Sequence, residues 1–260
     1  MKFYEFGEKE KPVIMLLPGT CCHWRNNFGH VISKLTDYFH VVCVSYDGFD
    51  ENEKTEFIDM ITETRKIESY IKRNLHGRVE AIYGCSLGGS FIGLLMQRNR
   101  IHLDHGIIGS SDLDQGSGFL SKLTAKILAL LFHHALKKGR LNPRIVHIFE
   151  KRAGKEYTRQ FLRMMFGNGA RKLNFVTRKS IERQYYSDLE TKLEEEIEVE
   201  GSKVHCIYAN KMGEEYKKRY LKHFKDPDII EYDMLHEELL ACRPKEWVQL
   251  MEQIVGGERV

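Results

Sequence analysis

The sequence predicts an α/β protein: a mostly parallel sheet with helices on both faces, plus an inserted all-helical segment. Three observations carry this. Short apolar runs, most of them ending in glycine or small polar residues, recur along the chain. They alternate with stretches whose apolar residues repeat at helical spacing. Between 113 and 202, however, no convincing strand-like run occurs. Residues 1–112 and 203–260 are therefore expected to form the α/β body, and residues 113–202 a helical cap.

The apolar runs are VIMLLPG (13–19), HVVCVSYDG (40–48), VEAIYGCS (79–86), HGIIGSSD (105–112), KVHCIYAN (203–210) and DIIEYDM (228–234). Their length, β-branching and small-residue endings mark buried strands. Helical patterns fill the gaps at 28–35, 53–75 and 90–97. In the second, Phe57, Ile58, Ile61, Ile67, Ile71 and Leu75 recur before His76-Gly77 closes the run. Within the cap, 120–138, 143–151, 155–166 and 170–186 read as helices punctuated by glycine and proline. Parallel sheets of this kind gather ligands at the C-terminal ends of their strands.

Composition narrows the function classes. The chain has 260 residues, 42% hydrophobic and 30% charged, with a net charge of +3. That is an ordinary globular balance without the basic stripe and reading motif of a nucleic-acid binder, so no nucleic-acid partner is expected. Six cysteines occur without a CxxC spacing; Cys43, Cys85 and Cys206 fall in or beside strand runs, where cysteine serves as a small hydrophobe. The opening MKFYEFGEKEKPVIMLLPGT is broken by glutamates and lacks a signal-peptide layout. The longest apolar-looking segment, 123–136, contains Lys126, His133 and His134 and is too short to span a bilayer. The expectation is a cytoplasmic protein without stable membrane insertion.

The cap is electrically lopsided. Between Lys137 and Arg183 fourteen Lys and Arg face three Glu, whereas 188–200 holds seven acids and one lysine. Such runs are ordinarily the solvated faces of helices. The sharper reading is a basic rim that attracts anionic substrates or an acidic membrane surface.

The segment Gly84-Cys85-Ser86-Leu87-Gly88 places a serine between two glycines, after an expected strand and before an expected helix. Gly-x-Ser-x-Gly alone is a weak signal, but this is the strand–turn–helix setting of a nucleophile elbow. A helix starting just beyond the serine also aims backbone N–H groups at the space above it. Here the sequence resembles the α/β-hydrolase superfamily over nearly its whole length. Leu17-Pro18-Gly19-Thr20 matches the position of the family's His-Gly oxyanion loop, with Pro18 in place of the histidine. The resemblance implies oxyanion donors at the amides of Thr20 (or Cys21) and Leu87. It also implies a general base at His236, which follows the last strand in DIIEYDMLHEELL.

The acid departs from the family pattern. In IYANKMGEEY, Ala209 stands for a glycine and Met212 occupies the expected acid position. Glu214 and Asp112 remain as alternatives, and a Ser86–His236 dyad without an acid is a third. The expected activity is a serine hydrolase of carboxylesterase or lipase type, acting on a small-molecule ester-type acyl substrate and requiring no metal or organic cofactor. Phe161, Leu162, Met164, Met165 and Phe166 offer an apolar lining for the acyl or alcohol group. A thioesterase or acyltransferase would use the same residues, and a non-catalytic binding protein would suit Pro18 and Met212.

Overall fold

A computed structural model describes residues 1–113, 115–116, 118–167 and 173–257. The six expected strands are present as β2 Val13–Leu17, β3 His40–Ser45, β4 Arg78–Gly84, β5 His102–Ile108, β6 Lys203–Ala209 and β7 Asp228–Tyr232. A seventh, β1 Lys2–Phe6, was not expected. It pairs antiparallel with β3 on the sheet edge, from Lys2 opposite Ser45 to Phe6 opposite Val41. The sheet order is β1-β3-β2-β4-β5-β6-β7, and every pair after the first is parallel.

The period-two alternation of a strand divides the core into two layers. Met15, Leu17, Val42, Val44 and Ile82 point to one face, whereas Ile14, Leu16, Val41, Cys43, Ala81 and Tyr83 point to the other. Six helices cover the body: α1 Trp24–Phe28, α2 Ile32–Leu35, α3 Met60–Asn74, α4 Leu87–Arg98, α9 Glu214–His223 and α11 Pro244–Gly256, with the short α10 Glu238–Cys242 beside the site. Phe91 and Ile71 from α4 and α3 fill the first layer; Trp24, Phe28 and Trp247 from α1 and α11 fill the second.

Local chemistry moved two expected boundaries. α3 begins at Met60 because the Asp59 carboxylate accepts from Thr62 N at 2.7 Å, an N-cap that leaves Phe57 and Ile58 in an extended lead-in. The helix expected over 170–186 starts at α8 Arg178–Glu190, capped by the Thr177 hydroxyl; residues 170–172 lie outside the described set. The other helices between β5 and β6 are α5 Gly118–Lys138, α6 Pro143–Ala153 and α7 Lys155–Phe166. Asn142 caps α6, with Pro143 supplying the preset φ of its first turn. Among the described residues, no strand interrupts α5–α8.

Candidate active site at the end of the central strands

Ser86 stands between β4 and α4 at φ 49° and ψ −112°, a left-handed conformation that costs a non-glycine residue about 1–3 kcal/mol. The flanking glycines make this turn possible. A Cβ on Gly84 would fall on the backbone of Gly88, and one on Gly88 would sit 2.5 Å from the Leu17 carbonyl oxygen. The turn is also tied to the next strand, since Cys85 N donates to Leu17 O at 3.0 Å.

A second anchor was not anticipated from the sequence. Glu237 is 2% exposed, and its carboxylate lies beneath the Ser86 turn. Oε1 accepts from Ser86 N at 2.8 Å and Oε2 from the Tyr83 hydroxyl at 2.7 Å. Its own amide donates to Ser110 Oγ at 3.0 Å. Gly109 leaves room for this arrangement, because a Cβ there would meet Glu237 Oε1 at 2.5 Å. Burial, and then the charge of Glu237, push the Tyr83 phenol far above its ordinary pKa, so it remains a donor.

His236 lies in the loop between β7 and α10, and the cap holds it from outside. The Tyr157 hydroxyl of α7 donates to His236 O at 2.9 Å, and the Phe161 ring meets the imidazole edge-on, with centroids 6.0 Å apart. Ser86 and His236 line one cavity, and no hydrogen bond joins their side chains. In enzymes that use such a pair, the bond often tightens only around bound substrate.

The structure joins neither acid candidate to His236 by a hydrogen bond. His236 Nδ1 is buried without a hydrogen-bond partner, so neither Glu214 nor Asp112 bonds to it. Glu214 is exposed in the first turn of α9, outside the cavity wall, because the Gly213 turn leads directly into that helix. Asp112 does line the cavity, and its carbonyl oxygen accepts from Arg219, but its side chain does not reach Nδ1. Met212, at the loop position where the family pattern implies an acid, lines the cavity.

Around the Ser86 turn most backbone donors are occupied. Gly19 N donates to Asn27 Oδ1 at 2.9 Å, Cys21 N to Gln184 Oε1 at 2.8 Å, and Gly88 N to Cys85 O at 2.8 Å. The amides of Thr20 and Leu87 donate to no acceptor among the described residues. Asn27 also donates to Met164 O at 3.1 Å, which fastens the Gly19 loop to α7.

The cavity measures about 970 Å³, at the upper end of ordinary ligand sites. Its walls come from all four cap helices. Leu128 and Phe132 project from α5, Ile145 and Phe149 from α6, and Leu189 from α8. From α7, Phe161, Leu162, Met164 and Met165 line it, whereas Phe166 is buried in the core away from it. The polar lining of the cavity includes Thr20, Asn27 and His236 together with Ser86, and also Thr124, His134, Lys138, Arg140 and Asn142 along α5 and the α5–α6 connection. All six cysteines are unpaired, and burial raises the thiol pKa of Cys22, which lines the cavity, to about 12.

Neither a protein-family model nor the sequence of a curated protein matches this chain. Solved structures do. An alpha/beta hydrolase family protein of Desulfitobacterium hafniense superposes with a TM-score of 0.79 at 19% identity, covering 98% of this chain and 100% of its own. An enol-lactonase of Burkholderia xenovorans LB400 gives 0.69 at 15%, with 98% and 96% covered. A thermophilic esterase of Thermogutta terrifontis gives 0.70 at 13%, with 100% and 94% covered. The fold of this chain is the α/β-hydrolase fold.

Proposed function

We propose that this chain, with its α/β-hydrolase fold, is a serine hydrolase that cleaves an ester-type acyl substrate bearing a large apolar group. The observation that supports this most is the placing of a strained Ser86, His236 and Thr20 on one apolar cavity, where the amides of Thr20 and of Leu87, next to Ser86 in the chain, have no acceptor among the described residues. Fold similarity alone would not support an activity.

In this reading the acyl chain lies among the cap side chains, with its carbonyl at Ser86. Ser86 Oγ attacks the carbonyl carbon while His236 Nε2 takes the hydroxyl proton. The oxyanion that forms accepts hydrogen bonds from Thr20 N and Leu87 N. Collapse of the tetrahedral species expels the alcohol, which leaves with the proton from His236. Water, deprotonated by the same imidazole, then releases the acid and restores Ser86. The contacts of Tyr157 and Phe161 take over part of the positioning that a third carboxylate would supply. Glu237 holds the Ser86 turn from below and keeps Ser86 N out of the oxyanion site. Six unpaired thiols fit a reducing compartment, the cytoplasm.

A panel of p-nitrophenyl esters from acetyl to palmitoyl tests the proposal. Turnover should rise from short to long acyl chains and vanish in Ser86→Ala. A second reading, a non-catalytic acyl-binding protein, is favoured by the unpartnered Nδ1 of His236. It predicts no turnover of any ester by the folded wild-type protein.

A further inference from the structure

Helix α5 is amphipathic in the wrong sense for a soluble surface. It buries its small residues, Ser121, Ala125 and Ala129, and Ala125 and Ala129 are 0% exposed. Its large residues face outward: Phe119 is 82% exposed, Leu120 72%, Leu130 59% and Leu131 57%. With Leu123 and Ile127 these fall within an arc of about 120° on a 3.6-residue helix, so they form one continuous stripe roughly 20 Å long. The next helix in the chain, α6, adds Ile145, Ile148 and Phe149, each more than two-fifths exposed. Isolated exposed apolar side chains need no explanation, but a stripe of six, with further exposed apolar residues on a second helix that lines the same cavity, marks a contact surface.

Charge indicates what it contacts. Between 118 and 155 there are nine Lys and Arg and one Glu. All nine cations are exposed, and none forms an ion pair among the described residues. On the α5 wheel Lys122 and Lys126 run along one edge of the stripe, and Lys137, Lys138 and Arg140 follow at its end. A second copy of this chain seated by a two-fold axis would bring this cationic rim against itself. A surface that is apolar beneath and anionic above suits both features, and anionic bilayers have that layering.

The patch is also the mouth of the cavity. Leu130, Leu131, Ile145 and Phe149 are exposed and at the same time line the space that leads to Ser86. We propose that the face formed by α5 and α6 docks on a bilayer bearing anionic headgroups, and that the cavity opens into this contact so that an acyl lipid passes directly to Ser86. Docking stands on the exposed face alone; delivery rests on the function proposed above. At 21 residues α5 is longer than the apolar segment read from the sequence and is long and apolar enough to cross a membrane. It nevertheless packs along α8 through its small residues, which is the arrangement of a helix lying at the interface.

Vesicle flotation tests the docking. The wild-type protein should float with phosphatidylcholine vesicles containing phosphatidylglycerol, and bind pure phosphatidylcholine at least about tenfold more weakly. Phe119→Ser/Leu123→Ser/Ile127→Ser, which alters no cavity-lining residue, should lose flotation while turning over a short water-soluble ester at the wild-type rate. Lys122→Glu/Lys126→Glu should lose the preference for anionic vesicles. Ser86→Ala should float like wild type, which separates docking from catalysis. The proposal is overturned if folded wild-type protein stays unbound, or if the triple variant floats equally well. A stable solution dimer that the triple variant abolishes would likewise overturn it, by assigning the face to a second copy.

Discussion

Replacing Glu237 by Gln removes a buried charge while keeping the side-chain shape. The carboxylate accepts two hydrogen bonds, from Ser86 N and the Tyr83 hydroxyl. Glutamine can accept only one of them and must turn its NH2 toward the other donor. Hydrogen bonds to a charged group contribute about 1.5–3 kcal/mol each, and an unsatisfied buried donor costs about 1–3 kcal/mol. The variant should therefore lose about 2–3 kcal/mol, which in a chain of this size lowers Tm by about 5–10 °C. Its kcat should fall on the same ester with little change in KM, because the loss is in holding the Ser86 turn and not in binding the acyl chain. A double-mutant cycle with Tyr83→Phe sharpens the test. Once the phenol donor is gone, the glutamine oxygen can serve Ser86 N with no donor opposing its NH2. The two losses should be sub-additive by about 1 kcal/mol. Differential scanning calorimetry of the four proteins measures this; an unchanged Tm for Glu237→Gln, or strict additivity, would refute the role given to Glu237.

Other consequences are separable. Glu214→Gln and Asp112→Asn should each retain kcat within about threefold of wild type, since neither carboxylate reaches His236; a loss of orders of magnitude in either would restore it as the acid. Gly88→Ala should be destabilised by at least about 2 kcal/mol and lose turnover, because the added methyl meets the Leu17 carbonyl; a well-folded active variant would contradict the close approach. Burial holds the pKa values of His23, His30, His105 and His205 below the ordinary imidazole range, with Glu51 partly opposing the shift at His23 and Asp228 at His205. The folded state then binds fewer protons than the unfolded chain near and below pH ~6.5, so this stabilisation is present above that pH and is lost as pH falls. Melting temperatures that do not drop from pH 7.5 to pH 5.5 would disprove it.

The parallel strands were legible because each is buried on both faces and reads as a continuous apolar run. β1 was not: KFYEF is half-exposed at the sheet edge and pairs antiparallel, so no such run marks it. The four helices between β5 and β6 were legible from their punctuation by glycine and proline, apart from the start of the last one. The orientation of α5 was not, because an apolar helix does not declare which residues face solvent, and here the small ones turned inward. At the site, the Gly84-Cys85-Ser86-Leu87-Gly88 turn follows from local sterics, and His236 from its place after the last strand. Glu237 carries no such signal, since HEELL reads as the polar start of a surface helix. Only the left-handed backbone at Glu237, φ 53°, turns that carboxylate under Ser86. Spacing within a loop does not fix the direction in which its side chains point, so the sequence alone does not single out a third carboxylate.

The central claim is that the Ser86 hydroxyl is a nucleophile activated at the end of this cavity. Treating the folded protein with an alkyl fluorophosphonate and mapping the adduct by peptide mass spectrometry tests it most directly. One covalent adduct is expected, on Ser86, absent in Ser86→Ala and strongly reduced in His236→Ala. An unlabelled wild-type protein, or an adduct on a different residue, would contradict it.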